Sequence, residues 1–198
     1  MRVLNVGGNT KAIPIPAHYA GWEHVLLDID PRGEPDIVCD ARELTALPAA
    51  QFDAVYCSHN LEHYYKHDSR RVLRGFLHVL NDSGFAEIRV PDLDSVMQHV
   101  VKTGMDIEDV LYTSPNGPIT PRDVLYGWGV EIERSGHDFF AHKTGFTGKS
   151  LFHALQQAGF GHAIVVKFAD VFELRAFAFK IAPRPDQRAL LGLPPEKR

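Results

Sequence analysis

Along the first sixty residues, short apolar runs alternate with polar, turn-forming stretches. Val3 to Val6 ends at Gly7-Gly8, Trp22 to Leu27 at Asp28-Ile29-Asp30, Ile37 to Cys39 at Asp40, and Phe52 to Cys57 at Ser58-His59-Asn60. Short continuous apolar runs bounded by turn residues predict strands covered on both faces, each with a polar C-terminal end. The period then changes. Val72, Leu73, Phe76, Leu77 and Leu80 recur at helical spacing between Ser69 and Leu80, and Asn81-Asp82-Ser83-Gly84 is expected to stop that helix. A strand over Phe85 to Val90 follows, closed by Pro91. Asp92 is placed to cap a helix carrying Leu93, Val96, Val100 and Val101. Strand and helix in alternation predict a doubly wound α/β domain with a mostly parallel sheet.

The stretch from Gly104 to Thr147 breaks this order with Pro115, Pro118, Pro121, several glycines, and the aromatics Tyr112, Tyr126, Trp128, Phe139 and Phe140. It reads as an excursion of loops and short helices over one end of the sheet, where substrate contacts or plain packing are equally natural roles. Regularity returns with a helix through Leu151, Leu155 and Ala158, stopped by Gly159. Runs over His162 to Phe168 and Val171 to Ile181 suggest an antiparallel hairpin. The expected domain is 1–182, with 104–147 as an insertion and 183–198, rich in Pro and charge, as a flexible tail.

At 198 residues, 44% hydrophobic and 23% charged, the chain is large enough to bury a core without disulfides or a structural metal. Cys39 and Cys57 lie in apolar runs and read as buried thiols of a reducing compartment. A net charge of −4 with no basic stripe argues against a nucleic-acid partner. No apolar run approaches the roughly 20 residues of a membrane span, and the first residues do not resemble a signal peptide. The expectation is a cytoplasmic protein with a small-molecule substrate; its oligomeric state is left open.

The candidate chemistry gathers at the strand ends. Gly7-Gly8-Asn9-Thr10 lets a ligand approach the backbone, and Asp28, 21 positions after Gly7, suits a carboxylate that accepts hydrogen bonds from a ribose diol, with Asp30 as its neighbouring alternative. The G-x-G-x-x-G fingerprint is absent, because positions 9 and 12 are Asn and Ala. The phosphate loop is absent as well, so a nucleoside without phosphates fits better than a nucleotide. Asp40 can accept from an adenine amino group or cap a helix near Arg42 to Leu47. His59 and His63, just past the fourth strand, are candidate general bases.

Taken with their spacing, the stretches Leu4 to Lys11, Leu27 to Pro31, Asp36 to Ala41 and Phe52 to His63 resemble the class I S-adenosylmethionine-dependent methyltransferases, and most closely a small type 11-like bacterial group. Val79 to Phe85, His142 to Thr147 and Ala158 to Phe160 resemble later signatures of that family. The resemblance implies a Rossmann-like domain with a seven-stranded sheet. It implies S-adenosylmethionine as cofactor, held by Asn5, Gly7, Gly8 and Asn9 at the methionine end, Asp28 and Ile29 at the ribose, Asp40 and Ala41 at adenine, and Cys57 and Ser58 near the sulfonium. Tyr64, His137 and His142 become candidate acceptor contacts. Asn5 and Asn9 depart from the family pattern, which normally has an acidic residue and a glycine there.

Two other readings stay open. A non-catalytic relative with a cofactor site weakened at Asn5 and Asn9 is one. The other is a zinc hydrolase, since His59-Asn60-Leu61-Glu62-His63 matches H-x-x-E-H, although that pattern needs a helix and a third ligand. The methyltransferase reading expects no metal. No amine-specific motif or catalytic cysteine pair is present, so the expected acceptor is a small molecule or sugar-linked metabolite.

Overall fold

The computed structural model describes residues 1–115 and 117–195. Nine strands and six α-helices are assigned among them. The first four strands are β1 (Arg2–Val6), β2 (Glu23–Asp28), β3 (Ile37–Val38) and β4 (Phe52–Ser58). Helix α1 (Lys66–Val79) leads into β5 (Leu80–Pro91), and α2 (Leu93–Thr103) follows. The excursion holds β6 (Tyr112–Ser114), β7 (Gly117–Ile119), α3 (Pro121–Tyr126) and α4 (Gly129–Ser135). The chain then forms α5 (Gly148–Ala158), β8 (His162–Phe168), β9 (Glu173–Phe179) and α6 (Pro185–Leu190).

Seven strands form one sheet in the order β3-β2-β1-β4-β5-β9-β8. The pairs from β3 to β5 are parallel, and β9 joins β5 and β8 antiparallel. This is the predicted doubly wound α/β sheet with its terminal hairpin. Strand order reverses between β2 and β4 on either side of β1, which opens a crevice at their C-terminal ends where ligands bind in such sheets.

One face is built conventionally. Val72, Leu73, Phe76 and Val79 of α1 and Leu151, Leu155 and Ala158 of α5 pack on Leu4, Val6, Val55, Cys57, Ile88 and Leu174 of the strands. The other face has no long helix between β1 and β2. In its place the chain makes a 3-10 turn at Ala17–Tyr19, and Tyr19 stacks on Phe85 with ring centroids 6.2 Å apart. The Tyr19 hydroxyl donates to buried Glu87 (3.0 Å), which also meets His18 (2.9 Å) and Arg89 (2.7 Å), so this carboxylate has its charge and lone pairs answered.

Three expectations change. Helix α1 ends just before Asn81-Asp82-Ser83-Gly84 as expected, but the strand expected from Phe85 begins earlier. β5 starts at Leu80 and absorbs these residues as an irregularity, because Phe52 pairs with Leu80 while Ala54 already pairs with Phe85. The excursion contains the β6–β7 hairpin as well as short helices. The tail expected to be loose forms α6 and lays Leu191 and Leu193 against Tyr19, Phe85, Phe177 and Phe179. Gln187 fixes it by donating to the Ser83 carbonyl at 2.7 Å. Its apolar positions finish the face that has no long helix between β1 and β2. Residues 196–198 of that predicted tail lie outside the described residues.

Truncation after residue 182 therefore exposes part of the core. At about 1.5–3 kcal/mol for each buried leucine side chain, loss of Leu191 and Leu193 should lower unfolding free energy by roughly 3–6 kcal/mol. Denaturant unfolding of the truncated and full chains tests this; equal midpoints would show the tail to be dispensable.

Candidate active site

The crevice holds a cavity of about 290 Å³ lined by residues from four strand ends, including Gly7, Asp28, Asp40, His59 and Asn60. The loop after β1 is shaped by two left-handed residues, Gly7 (φ +72°) and Asn9 (φ +59°). A Cβ on Gly7 would lie 2.2 Å from Asn60 Nδ2, so glycine is required for space as well as conformation. Asn9 is among the few side-chain-bearing residues that adopt this conformation readily. Asp28 locks the loop to β2: Oδ2 accepts from Asn9 N (2.8 Å) and Oδ1 from Asp30 N (2.9 Å). The far wall comes from the excursion, with Asp138, Phe139, Phe140 and Lys143 facing the strand ends. Five aspartates, Asp28, Asp30, Asp40, Asp68 and Asp138, line this cavity against the cations Arg42 and Lys143. It is an acidic site.

A second cavity of about 230 Å³ adjoins the first through His59, His63 and Phe140, which line both. Its other walls include Tyr112, Ile119, Val124 and Trp128, with His142 and Asp123 among its polar members. Gly127 (φ +98°) makes this wall possible, because a Cβ there would lie 2.0 Å from the Phe140 carbonyl. The His142 amide donates to Tyr126 O (3.0 Å), while Lys143 N and Thr144 N donate to Glu62 O at 2.9 and 3.1 Å, tying the excursion to the sheet.

At the junction His59 adopts φ +49°, a strained conformation for a histidine. Its Nε2 lies 3.1 Å from Glu173 of β9 and its Nδ1 3.5 Å from Glu62. Burial alone would lower the His59 pKa, but the two carboxylates raise it to about 10, although about half of the side chain is exposed. Burial pushes the Glu173 carboxyl up, yet His59 and the Arg175 guanidinium, whose Nε is 2.6 Å away, hold it at about 2. His59 is thus an imidazolium at neutral pH and has no lone pair with which to act as a base.

A family model described as a methyltransferase domain matches residues 1–162, more than three quarters of the chain. The chain belongs to the methyltransferase-domain family. Solved structures share the methyltransferase's fold at low identity. A SAM-dependent methyltransferase from Archaeoglobus fulgidus has 16% identity over 89% of this chain and 85% of that one, with a TM-score of 0.55. The PH0226 protein from Pyrococcus horikoshii has 14% identity, 92% and 82% coverage, and a TM-score of 0.57. A SAM-dependent methyltransferase from Thermotoga maritima, described as a possible histamine N-methyltransferase, has 14%, 91%, 82% and 0.53 in the same terms. No curated protein matches in sequence. Among the described residues, no helix is long and apolar enough to cross a membrane.

Of the residues that the sequence assigned to the methyltransferase's cofactor, Gly7, Asn9, Asp28, Ile29 and Asp40 line the first cavity, with Tyr64 beside them. Asp40 is also a cap: Oδ1 accepts from Arg42 N (2.9 Å), and Oδ2 from Arg42 Nε (2.9 Å) and an Arg42 terminal nitrogen (2.6 Å). Burial pushes its carboxyl up, but Arg42 outweighs this and keeps it ionised. Of the two roles left open for Asp40, the cap is formed, and the same residue lines the cavity. Gly8, Asn5, Ala41, Cys57 and Ser58 do not line the cavity. Asn5 sits beneath Gly8 and pairs its Nδ2 with His24 Nε2 at 3.2 Å. Ala41 and Cys57 are packed in the core, where burial raises the Cys57 thiol pKa, and strand alternation turns Ser58 away from Cys57's side.

On the acceptor side, His142 lines the second cavity, while His137 lines neither and stacks on Phe139 at the surface. The zinc-peptidase arrangement is not formed. Leu61–His63 is a 3-10 turn, so His59 and His63 do not project from one α-helical face, and His59 is committed to Glu173. Both His63 nitrogens lie 3.1 Å from carbonyl oxygens, of Ala141 and His59. Sequence reasoning missed Asn60, Phe140, Trp128 and Glu173. The polar cluster at the end of the fourth apolar run was the signal for Asn60 and the aromatic-rich excursion that for Phe140 and Trp128, while nothing local marked Glu173.

Because Glu173 is depressed from its ordinary 4.5 to about 2, its contribution to stability is present above pH 4.5 and fades as pH falls toward 2. Glu173→Gln should cost about 1–3 kcal/mol at pH 7, and the difference should shrink between pH 5 and pH 3. Unfolding curves at those pH values check this; a difference independent of pH would contradict the pairing.

Proposed function

We propose that this methyltransferase moves a methyl group from S-adenosylmethionine in the first cavity to a small, largely apolar or aromatic acceptor in the second. The observation that carries the reading is the adjacency of the two cavities across His59, His63 and Phe140. The residues present fit the cofactor. An acidic wall suits a sulfonium and an ammonium and disfavours a polyphosphate. Asp28 spends one lone pair per oxygen on backbone amides, and a carboxylate offers about four such sites, so acceptors remain for ribose hydroxyls. Asn60, which lines the cavity, has a buried Oδ1 without a hydrogen-bond partner, a ready acceptor for an ammonium. The left-handed Asn9 supports an intact loop, which counts against the Asn9 half of the non-catalytic reading, while Asn5 supports the loop from beneath Gly8.

When bound, S-adenosylmethionine supplies a methyl group on a good leaving group. The protein's share is alignment and the exclusion of water. Phe140 and Trp128 give the acceptor flat apolar surfaces. His59, fixed between Glu62 and Glu173, presents positive charge at the junction and takes no proton from the acceptor. A site of this size and lining favours a compact ring or short chain over a polymer.

Calorimetric titration with S-adenosylhomocysteine tests the first step. Binding should be saturable, and Asp28→Ala should weaken it about ten- to a hundredfold, the equivalent of about 1.5–3 kcal/mol for hydrogen bonds to a charged group. Trp128→Ala, on the acceptor side, should leave that affinity within about twofold while abolishing turnover of any acceptor found by screening. Absence of binding at millimolar ligand sinks the proposal.

A further inference from the structure

We propose that Glu62, His63 and His142 form a binding site for one divalent transition-metal ion at the wall of the second cavity. Glu62 and His63 come from the turn after β4, and His142 from the end of the excursion. One candidate ligand atom from each lies within 4.8 Å of the others. Glu62 is 1% exposed, and neither of its carboxylate oxygens has a hydrogen-bond partner. Buried charges are paired or bound to a metal, and the ion-pair contact that Glu62 makes with His59 Nδ1, at 3.5 Å, leaves both carboxylate oxygens without a hydrogen bond.

The tautomer of His142 strengthens the case. Its Nδ1 donates to the Val124 carbonyl at 2.8 Å, which leaves the lone pair on Nε2, and that atom faces Glu62 Oε1 at 4.0 Å. Two acceptors thus point at each other with no hydrogen between them, an arrangement that a cation relieves. A carbonyl held by the second nitrogen of a ligating histidine is also the usual outer support of such sites. The His63 ring meets that of His142 edge to face, with centroids 5.0 Å apart. Cys57 and His59 also lie near Glu62; His59 Nδ1 is 3.5 Å away, too far to close a hydrogen bond, and its Nε2 is spent on Glu173.

Ligand atoms bound tetrahedrally at about 2.0–2.1 Å from zinc stand about 3.4 Å apart, so closure requires shifts of about 1 Å, with His63 giving up one carbonyl. Two imidazoles and one carboxylate suit zinc or cobalt rather than magnesium or calcium. His63 and His142 line the second cavity, so the open coordination position faces it. On the methyl-transfer reading, an acceptor hydroxyl bound there would lose its proton to solvent more easily. The site itself does not depend on that reading.

The test uses untagged, chelator-treated full-length protein without cofactor, titrated with Co²⁺ and followed by its visible absorption, and with Zn²⁺ by calorimetry. The expected result is one equivalent bound, with affinity reduced more than tenfold by Glu62→Gln and by His142→Ala and unchanged by His137→Ala. Melting curves of the metal-free variants show whether each is folded, and Glu62→Gln preserves side-chain shape. Failure of the parent to bind one equivalent overturns the proposal, as does binding that Glu62→Gln leaves intact. Titration with S-adenosylhomocysteine in the presence of chelator separates this failure from failure of the cofactor reading.

Discussion

The His59 imidazolium, held between Glu62 and Glu173, is the interaction on which the rest of the site depends. It joins a turn after the fourth strand to the antiparallel hairpin more than a hundred residues later, and Arg175 extends the chain of alternating charge. A histidine in a left-handed conformation persists only where its surroundings over-determine it. Here a backbone bond from His59 N to Arg89 O, at 2.9 Å, and the two carboxylates do so. The ring is therefore a fixed positive divider between two cavities, an electrostatic part rather than an acid–base one.

The same economy shapes the first cavity. Asp28 acts on its own loop before it can act on a ligand, since its two oxygens set the positions of Asn9 and Asp30. Asp40 does likewise with Arg42. Carboxylates that are already hydrogen-bonded in the empty fold are preorganised, so a ligand meets them without reordering cost.

Much of the scaffold was legible because it rests on local patterns. Apolar runs ending in Gly7, Asp28 and Ser58 mark the strands, and Asp92 caps α2 through Asp94 N as its position suggested. The crevice follows from strand order. What could not be read is long-range. Nothing near Glu173 announces His59, and nothing near His142 announces Glu62. Cys57 and Ser58 were assigned by family position, whereas burial among helices and the two-residue alternation of a strand put their side chains elsewhere. The tail misled for a different reason. Its Pro and charge read as loose, but Leu190, Leu191 and Leu193 carry the apolar surface needed by a sheet face that has no long helix between β1 and β2.

The excursion supplies most of the wall of the second cavity and is tied to the rest of the molecule by backbone bonds from Lys143 and Thr144 to Glu62 and from Leu93 to Phe146, by the stacking of Tyr112 on Phe172, and by Phe146 in the core. The core beneath it is assembled mainly from other parts of the chain. Because Phe140 lines both cavities while Tyr112 and Ile119 line only the second, substitutions along this one segment reshape either both cavities together or the second alone.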